Sequence, residues 1–485
     1  MLNLKQKTIT GITWSFIDKS ANLGVTFIIG IILARLLSPK EFGLVGMLTI
    51  FISISNSIVD SGFSQALIRK KSCTEDDFST VFYFNFLVGL FMFALLATCA
   101  PLISRFFNEP LLIPLIRVLS ITLIIDSLTI IQRTILTKNI NFKLQTKISI
   151  IASVLSGGIA VVLAYKNFGV WSLVAQQIAN RFFNSLFLWI WNKWRPLSVF
   201  SKKSFSELFN FGYKLLIAGI IRDIAQNIYY AIIGKYFSAS DLGFYSQAER
   251  FNKLPSQDVS SVIQRVTYPV LAEIEDEVKL KLAYQKIIKS TVLITFMLML
   301  GMAAVAEPLI ITLIGEKWRK SVIMLQMLSF VGMMYPLHSI NLNMLNIKGR
   351  SDLFLRLTII KRLLIVPTIV IGLLWGINVM IAGMIFNSLV SYYLNSYWSG
   401  KLIRYPINEQ IKDIIPYFLI SLVNGTLIFF IGLILPFNYG IKLIIQSASG
   451  LFIAVSLLEL IRPEVYLEFK KIVLSYFKTT KKKRP

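Results

Sequence analysis

The chain has 485 residues, of which 55% are hydrophobic and 15% are charged, and its mean hydropathy is +0.67. Soluble proteins carry about a quarter charged residues, so this composition excludes a soluble enzyme and is typical of an integral membrane protein. Two cysteines and one histidine, His338, are too few for a disulfide framework or a histidine-rich metal site. We therefore expect neither a metal nor another cofactor.

The net charge of +25 raises the question of an anionic partner such as nucleic acid. The basic residues, however, lie in short breaks between long apolar runs, and no separate basic domain exists. This distribution is the one that membrane topology requires, so we expect no nucleic-acid partner.

Fourteen segments are long and apolar enough to cross a bilayer, which takes about 20 mostly apolar residues. The connections between them are short, so no soluble domain fits and an all-α integral membrane protein is predicted. In chain order the segments are approximately 11–34, 42–64, 79–100, 112–132, 148–165, 170–191, 209–234, 243–266, 288–314, 321–345, 354–375, 378–399, 413–435 and 440–461.

Lys and Arg residues indicate which connections face the cytoplasm, because positive residues are enriched there. Most of the 50 Lys and Arg residues fall in alternate segments, which include 69–71, 133–147, 193–203, 346–362 and 462–485. This alternation predicts an even number of spans, with both termini in the cytoplasm.

A weak internal repeat divides the chain. Residues 35–43 (RLLSPKEFG) return at 235–243 (KYFSASDLG) with their basic, serine, acidic and glycine positions aligned, and each copy lies between two predicted spans. Two lobes of six spans would share one orientation, because six is even. The predicted domains are an N-terminal lobe at 1–208, a C-terminal lobe at 209–399, two extra helices at 400–461 and a basic cytoplasmic tail at 462–485.

Polar residues recur along several spans at a spacing that places them on one helix face. Ionisable groups inside a membrane are costly and usually face a cavity or a partner. Arg181, Arg222 and Lys253 fall near the middle of their spans by the helical rise of 1.5 Å per residue. The candidate substrate-binding cations are Arg222, Arg250, Arg181, Lys253, Lys214 and Lys19; the candidate cavity-lining residues are Asn56, Asn180, Asn184, Gln226, Gln257, Asn387 and Asn395; the candidates for ion coupling are Asp18, Asp60 and Glu249.

Structural ion pairing is the alternative interpretation of these charges. Acidic residues within the spans are as frequent as basic ones, so the interior is not cationic by count. Glu249 and Lys253 are four residues apart and can neutralise each other on one helix. Arg222, Arg250 and Arg181 have no obvious partner on the same face. His338 is expected to be a hydrogen-bonded packing residue.

Several functional classes are excluded by what the connections contain. The outer connections are short and present no paired carboxylates, which argues against a membrane glycosyltransferase or polymerase. No Gly-rich loop of the Walker type is present, so the chain does not hydrolyse ATP. A secondary transporter that alternates access around a central cavity is therefore predicted, and not an enzyme.

Four segments resemble the Wzx-type polysaccharide flippases, and in particular the colanic-acid and teichuronic-acid exporter branch. They are 32–43 (ILARLLSPKEFG), 60–68 (DSGFSQALI), 169–174 (GVWSLV) and 241–250 (DLGFYSQAER). Shorter matches follow at 254–255, 268–271, 315–318 and 348–350.

The resemblance implies a fold and a task. The fold is that of the multidrug/oligosaccharidyl-lipid/polysaccharide exporter superfamily (MATE-like or MurJ-like), with two helical lobes in a V around a central cavity. The task is to move polyprenyl-pyrophosphate-linked oligosaccharide repeat units from the inner to the outer leaflet of the bacterial plasma membrane. We expect a monomer, with a polysaccharide polymerase and chain-length proteins as partners.

Two other functions stay open. One is a multidrug/cation antiporter of the same superfamily, and the other is a non-transporting scaffold of a glycan-synthesis complex. The driving force is also open between a proton gradient, a sodium gradient and removal of the product by polymerisation.

Overall fold

The computed structural model describes residues 22–471, apart from residues 198, 259, 261–266, 268 and 269. The residues described are predominantly helical and include no strand, as the apolar composition predicts. The chain forms two compact units, Met1–Ser246 and Gln247–Pro485. Asp18 and Lys19, two of the predicted site residues, lie outside the described residues.

The first unit is built from long helices joined by short connections. In its described part, the helices are α1 (Asn22–Leu36), α2 (Pro39–Asp60), α3 (Phe63–Arg69), α4 (Glu75–Phe107), α5 (Leu112–Leu119), α6 (Ile121–Lys138), α7 (Phe142–Tyr165), α8 (Val170–Trp191), α9 (Lys202–Tyr236) and α10 (Ala239–Lys253), which continues into the second unit.

Polar side chains just before the helices satisfy backbone groups that the helix leaves without partners. At the start of α4, the Thr74 hydroxyl accepts from the Asp77 N–H, while the Asp77 carboxylate accepts from the Thr74 N–H at 2.9 Å. This reciprocal capping box fixes where the helix begins.

Small residues and aromatic rings allow the helices of the first unit to pack closely. Within this unit α2 packs along α9, α4 against α6 and α7 against α8. A Cβ on Gly89 of α4 would lie 2.8 Å from Cβ of Ser127 on α6, so a larger residue would push these helices apart. Phe63 of α3 is fully buried and contacts Phe84 and Phe205 edge-on or tilted.

The second unit is also built from long helices that pack closely. The Tyr284 hydroxyl donates to Asn341 Oδ1 at 2.8 Å in its core, and α11 packs on α17 while α13 packs on α16. After the end of α10, its described helices are α11 (Glu277–Ala304), α12 (Ala306–Ile314), α13 (Lys320–Ile347), α14 (Ser351–Leu363), α15 (Ile365–Trp375), α16 (Ile377–Leu402), α17 (Ile407–Ile434) and α18 (Tyr439–Ile461).

Eleven helical segments of the described chain are long and apolar enough to cross a membrane, and the protein is therefore a multi-pass membrane protein. The predicted spans 11–34, 170–191 and 243–266 overlap α1, α8 and α10, which are shorter or more polar than these eleven. The all-α membrane fold is confirmed, but the predicted number of fourteen spans is not.

The predicted lobes and the compact units have different bounds. α9 begins at Lys202 and packs on α2, α3 and α4, and the first compact unit continues to Ser246. The division after residue 208 and the assignment of 400–461 as extra helices stay predictions. Of the basic tail 462–485, residues 472–485 lie outside the described residues.

The two copies of the internal repeat have the same local structure. Ser38 immediately precedes α2, and its N–H donates to Glu41 Oε2 at 2.6 Å. Ser238 immediately precedes α10, and its hydroxyl donates to Asp241 Oδ2 at 2.7 Å. The aligned serine and acidic positions are therefore the signals that start the second helix of each hairpin.

Candidate functional site

Two adjoining polar clefts lie within the first unit. The smaller cleft, of about 420 Å³, is lined by residues of α2, α3, α6 and α8, and the larger cleft, of about 980 Å³, by residues of α2, α3 and α9. Asn56, Asp60 and Gln65 line both clefts. Asn56 and Asp60, which were predicted as site residues of the second span, therefore lie on the wall that the two clefts share.

An ion pair between two helices faces the smaller cleft. Arg181 Nη1 of α8 lies 3.5 Å from Asp126 Oδ1 of α6, and their side chains are 42% and 16% exposed. This distance exceeds the usual 2.9 Å of a hydrogen bond, and a guanidinium carries five N–H donors. Arg181 therefore keeps donors for an anion while its charge is balanced by Asp126.

A second arginine–aspartate pair lies on α9 at the larger cleft. The Ser57 hydroxyl of α2 donates to Asp223 Oδ2 at 2.5 Å, and Arg222 Nε lies 3.6 Å from Asp223 Oδ1. Asp223 is 14% exposed and Arg222 61% exposed. Gly219 of α9 is buried, and a Cβ built there would lie 3.4 Å from Ser57 Oγ. Because Gly219 has no side chain, α9 can lie this close to α2. The α2–α9 contact thus holds the aspartate and leaves the guanidinium open.

Asp60 lies at the wall shared by both clefts. The Ser64 hydroxyl donates to its carboxylate, and the Thr134 hydroxyl of α6 donates to Ser64 Oγ at 3.3 Å. Among the described residues, no Lys or Arg nitrogen lies within 4.0 Å of this carboxylate. The arrangement is a carboxylate that accepts from one hydroxyl beside the clefts, with room there for a small cation or a proton.

Four other predicted residues of the first unit do not line these clefts. Asn180 Nδ2 donates to Ser156 Oγ of α7 at 3.3 Å, and Asn184 Nδ2 donates to the Asn180 carbonyl at 2.9 Å. Asn180 therefore joins α8 to α7, whereas Asn184 bonds within α8. Lys214 and Gln226 are exposed on α9. The cavity role of these residues stays a prediction.

The predicted residues of α10 and its end belong to the second unit. Lys253 Nζ lies 2.9 Å from Glu249 Oε2, so the pairing predicted from their spacing is confirmed. Arg250 and Gln257 are half-buried, and Gln257 lies in a single π turn, Leu254–Asp258, that follows α10. The meeting of these cations with Arg181 and Arg222 around one cavity stays a prediction.

A chain of polar contacts links three helices of the second unit. His338 Nε2 lies 2.9 Å from Ser388 Oγ, His338 Nδ1 lies 3.5 Å from Asn395 Nδ2, and Lys361 Nζ donates to Asn395 Oδ1 at 3.1 Å. The expectation that His338 is a hydrogen-bonded packing residue is confirmed. Asn387, the neighbour of Ser388, is half-buried on the same helix.

Two basic residues that were counted with connections lie on helices. Lys361 was counted with the connection at 346–362, although it also falls in the predicted span 354–375, and it lies on α14 within the apolar helical segment Ser351–Trp375. Arg133 was counted with a connection, whereas α6 continues to Lys138 and Arg133 lines the smaller cleft. In both cases a charge near the end of an apolar run was taken as the end of the helix.

The sequence comparisons give consistent matches. The family described as "Polysaccharide biosynthesis protein" matches residues 32–323, which is more than half of the chain. The teichuronic acid biosynthesis protein TuaB of Bacillus subtilis is 26% identical over 73% of this chain and 74% of its own length. The lipopolysaccharide biosynthesis protein WzxC of Escherichia coli is 26% identical over 81% of this chain and 82% of its own length.

Solved transporter structures share the fold. The lipid II flippase MurJ in an inward closed conformation matches with a TM-score of 0.75 and 16% identity, over 93% of this chain and 98% of its own. An inward-facing multidrug-resistance MATE transporter of the MOP superfamily matches with a TM-score of 0.61 and 18% identity, over 79% of this chain and 94% of its own. The expected MATE-like or MurJ-like fold is thereby confirmed.

Proposed function

Because this chain belongs to the polysaccharide biosynthesis protein family, we propose that it is a flippase for lipid-linked oligosaccharides. Its substrates are polyprenyl-pyrophosphate-linked repeat units, which it moves from the cytoplasmic to the outer leaflet of the bacterial plasma membrane. The observation that carries this proposal is the pair of adjoining clefts with Arg181 and Arg222 exposed at their walls.

The clefts contain the groups that such a substrate needs. Guanidinium groups bind phosphate oxygens through paired, charge-assisted hydrogen bonds. Aspartates at 3.5 and 3.6 Å balance the charges of Arg181 and Arg222, so neither arginine is an unpaired charge when no substrate is bound. Both arginines keep donors with which they can bind a pyrophosphate. Asn56 and Gln65 offer amides to sugar hydroxyls at the shared wall, and the polyprenyl chain stays in lipid.

The transport cycle that we propose is alternating access between two lobes, with both termini in the cytoplasm. Arg250, Lys253, Lys214 and Lys19 are the further cations proposed to meet the substrate. Polysaccharide polymerase and chain-length proteins are the partners we propose at the outer face, because they would consume the product. The protein binds and moves its substrate and makes or breaks no covalent bond in it.

A deletion strain tests this function directly. We expect lipid-linked repeat units to accumulate in the inner leaflet and surface polysaccharide to disappear, and the wild-type gene to restore both. Arg181→Gln combined with Arg222→Gln should fail to restore export although the protein reaches the membrane. The matched control is Arg105→Gln, which changes an exposed arginine in the same unit outside both clefts.

The result that would overturn the proposal is unchanged surface polysaccharide in the deletion strain when no second exporter is present. Drug sensitivity with normal polysaccharide would instead support the antiporter. Normal export by the folded double arginine variant would support the scaffold.

A further inference from the structure

An amine lies within a helical segment of the second unit that is long and apolar enough to cross a membrane. Lys361 is ten residues after Ser351, the first residue of the span Ser351–Trp375. At 1.5 Å per residue, its Cα lies about 15 Å along this helix from the end at Ser351. The other end of the segment, at Trp375, lies about 21 Å from Lys361 by the same rise, and the Lys361 side chain is half-buried.

Lys361 is held by neutral groups. Its Nζ donates to Asn395 Oδ1 at 3.1 Å, and Asn395 Nδ2 lies 3.5 Å from His338 Nδ1. Asn395 is fully buried, and Ser388, which contacts His338 at 2.9 Å, is 8% exposed. The contacts connect α14 through α16 to α13, with an amide between the amine and the imidazole.

Within the described residues, no carboxylate lies within 4.0 Å of Lys361 Nζ. Other basic residues of the second unit do have carboxylate partners there. These pairs are Lys281 with Glu409 at 2.7 Å, Lys286 with Glu468 at 2.5 Å, Lys289 with Asp413 at 3.1 Å and Arg350 with Asp352 at 2.8 Å. Lys361 is therefore different in kind from the lysines that form structural ion pairs.

The neighbouring elements supply no compensating negative charge in the described chain. α13 presents His338, α15 has no titratable side chain, and α14 itself carries Arg356 and Arg362 beside Lys361. On α16, Lys401 lies over the rings of Tyr397 and Trp398. The remaining titratable groups on these helices are Lys320 and Tyr335 of α13, Tyr392 and Tyr393 of α16, and Asp352 of α14, whose carboxylate pairs with Arg350 at 2.8 Å.

An ammonium in such a place either needs an anion or releases its proton. A charge in an apolar medium is costly unless it is paired, and lysine is the basic residue that readily gives up its proton when buried. Because no anionic partner is present in the structure described here, we propose that Lys361 is a proton-binding site that exchanges a proton with water.

Proton exchange at Lys361 has a structural consequence. The ammonium is a stronger donor to Asn395 than the neutral amine, since charge-assisted hydrogen bonds are roughly twice as strong as neutral ones. Protonation therefore tightens α14 against α16, and release of the proton loosens this contact. Use of this exchange to drive transport rests on the proposed flippase function, whereas proton binding itself does not.

The full-length protein in liposomes on a solid-supported membrane electrode tests the site. A pH jump without any substrate should give a transient charge displacement in the wild type. Lys361→Met removes the amine, and Lys361→Arg keeps a permanent positive charge, so both variants should give a smaller displacement than the wild type, and any displacement that remains belongs to other titratable groups such as Asp60. Lys401→Arg, an exposed lysine on α16, should behave like the wild type.

Two outcomes would overturn the proposal. One is a wild-type protein without displacement, and the other is Lys361→Arg with the full wild-type displacement. Lys361→Arg is the variant expected to fold normally, because it keeps a donor for Asn395. Its elution as a single species in size-exclusion chromatography will show that it is folded. Failure of the flippase function would appear only in the substrate assays and would leave this measurement unchanged.

Discussion

Gly43 of α2 and Gly243 of α10 each face the main chain that begins the other helix. A Cβ at Gly43 would lie 1.6 Å from the Ala239 carbonyl oxygen, and a Cβ at Gly243 would lie 1.9 Å from the Pro39 carbonyl oxygen. The two glycines occupy equivalent places in the two copies of the repeat. The copies therefore share a local structure and also pack reciprocally on each other within the first compact unit.

Substitution of either glycine should separate these hairpins. Gly43→Ala places a methyl group against backbone, which cannot move aside as a flexible side chain can. Overpacking of this kind costs about 1–3 kcal/mol or more. We expect a lower thermal unfolding temperature of the detergent-solubilised protein and reduced export, and the same result for Gly243→Ala.

Gly158→Ala is the matched control for this prediction. Gly158 lies within α7 of the same unit, and a Cβ there would meet no atom within 4 Å. Alanine should be neutral or slightly stabilising at this position, because it favours the helix over glycine. Equal destabilisation by all three substitutions would contradict the proposed contact.

The Ser57–Asp223 hydrogen bond predicts a second effect on stability. Ser57→Ala removes the hydroxyl that donates to Asp223 Oδ2. Among the described residues, it leaves the mostly buried carboxylate with Arg222, at 3.6 Å, as its one charged partner. Loss of a hydrogen bond to a charged group costs roughly 1.5–3 kcal/mol. Denaturant unfolding should show this loss for Ser57→Ala and not for Ser53→Ala, which changes another serine of the larger cleft.

The fold could be predicted because the apolar runs set it. A segment such as 79–100 has few ways to satisfy its backbone in lipid other than a helix, and α4 covers it. The spacing of the polar residues on α2 likewise predicted that they lie on one helix face, and this face lines both clefts.

The partners of the site residues could not be predicted in the same way. Helical spacing compares residues on one helix, as it did correctly for Glu249 and Lys253. Asp126 balances Arg181 from a different helix, and no spacing rule relates positions on separate helices. Lys361 was missed as a site residue because Lys361 and Arg362 are adjacent, and two adjacent basic residues resemble the edge of a span.

The contacts of Lys70, which lies outside the spans, predict that the free energy of unfolding depends on pH. Burial opposes the charge of its ammonium, but hydrogen bonds to Asp77 at 3.1 Å and Glu207 at 3.0 Å outweigh burial and raise the pKa of Lys70 above its usual 10.5. A raised lysine pKa stabilises the fold fully below the unfolded-state pKa, and this contribution is lost as the pH rises through the folded-state pKa.

Unfolding measured between pH 9 and about 12 should therefore show a loss of stability in the wild type that Lys70→Arg lacks, because a guanidinium stays charged there. Lys71→Arg changes an exposed neighbour and should keep the wild-type pH profile. Identical profiles for the wild type and Lys70→Arg would show that another group controls alkaline stability.

The position of Asp60 predicts how a change of this residue affects the response of transport to an ion gradient. Asp60→Asn keeps an oxygen that can accept from the Ser64 hydroxyl and removes the charge that a proton or sodium ion would need. If Asp60 holds the coupling ion, the variant should fold normally and lose the acceleration of transport by an imposed proton or sodium gradient in proteoliposomes. Asp76→Asn, at a half-buried position in the first turn of α4 outside both clefts, should retain that acceleration. A gradient response in Asp60→Asn equal to that of the wild type would mean that the carboxylate at the shared wall serves the packing of α2, α3 and α6 alone.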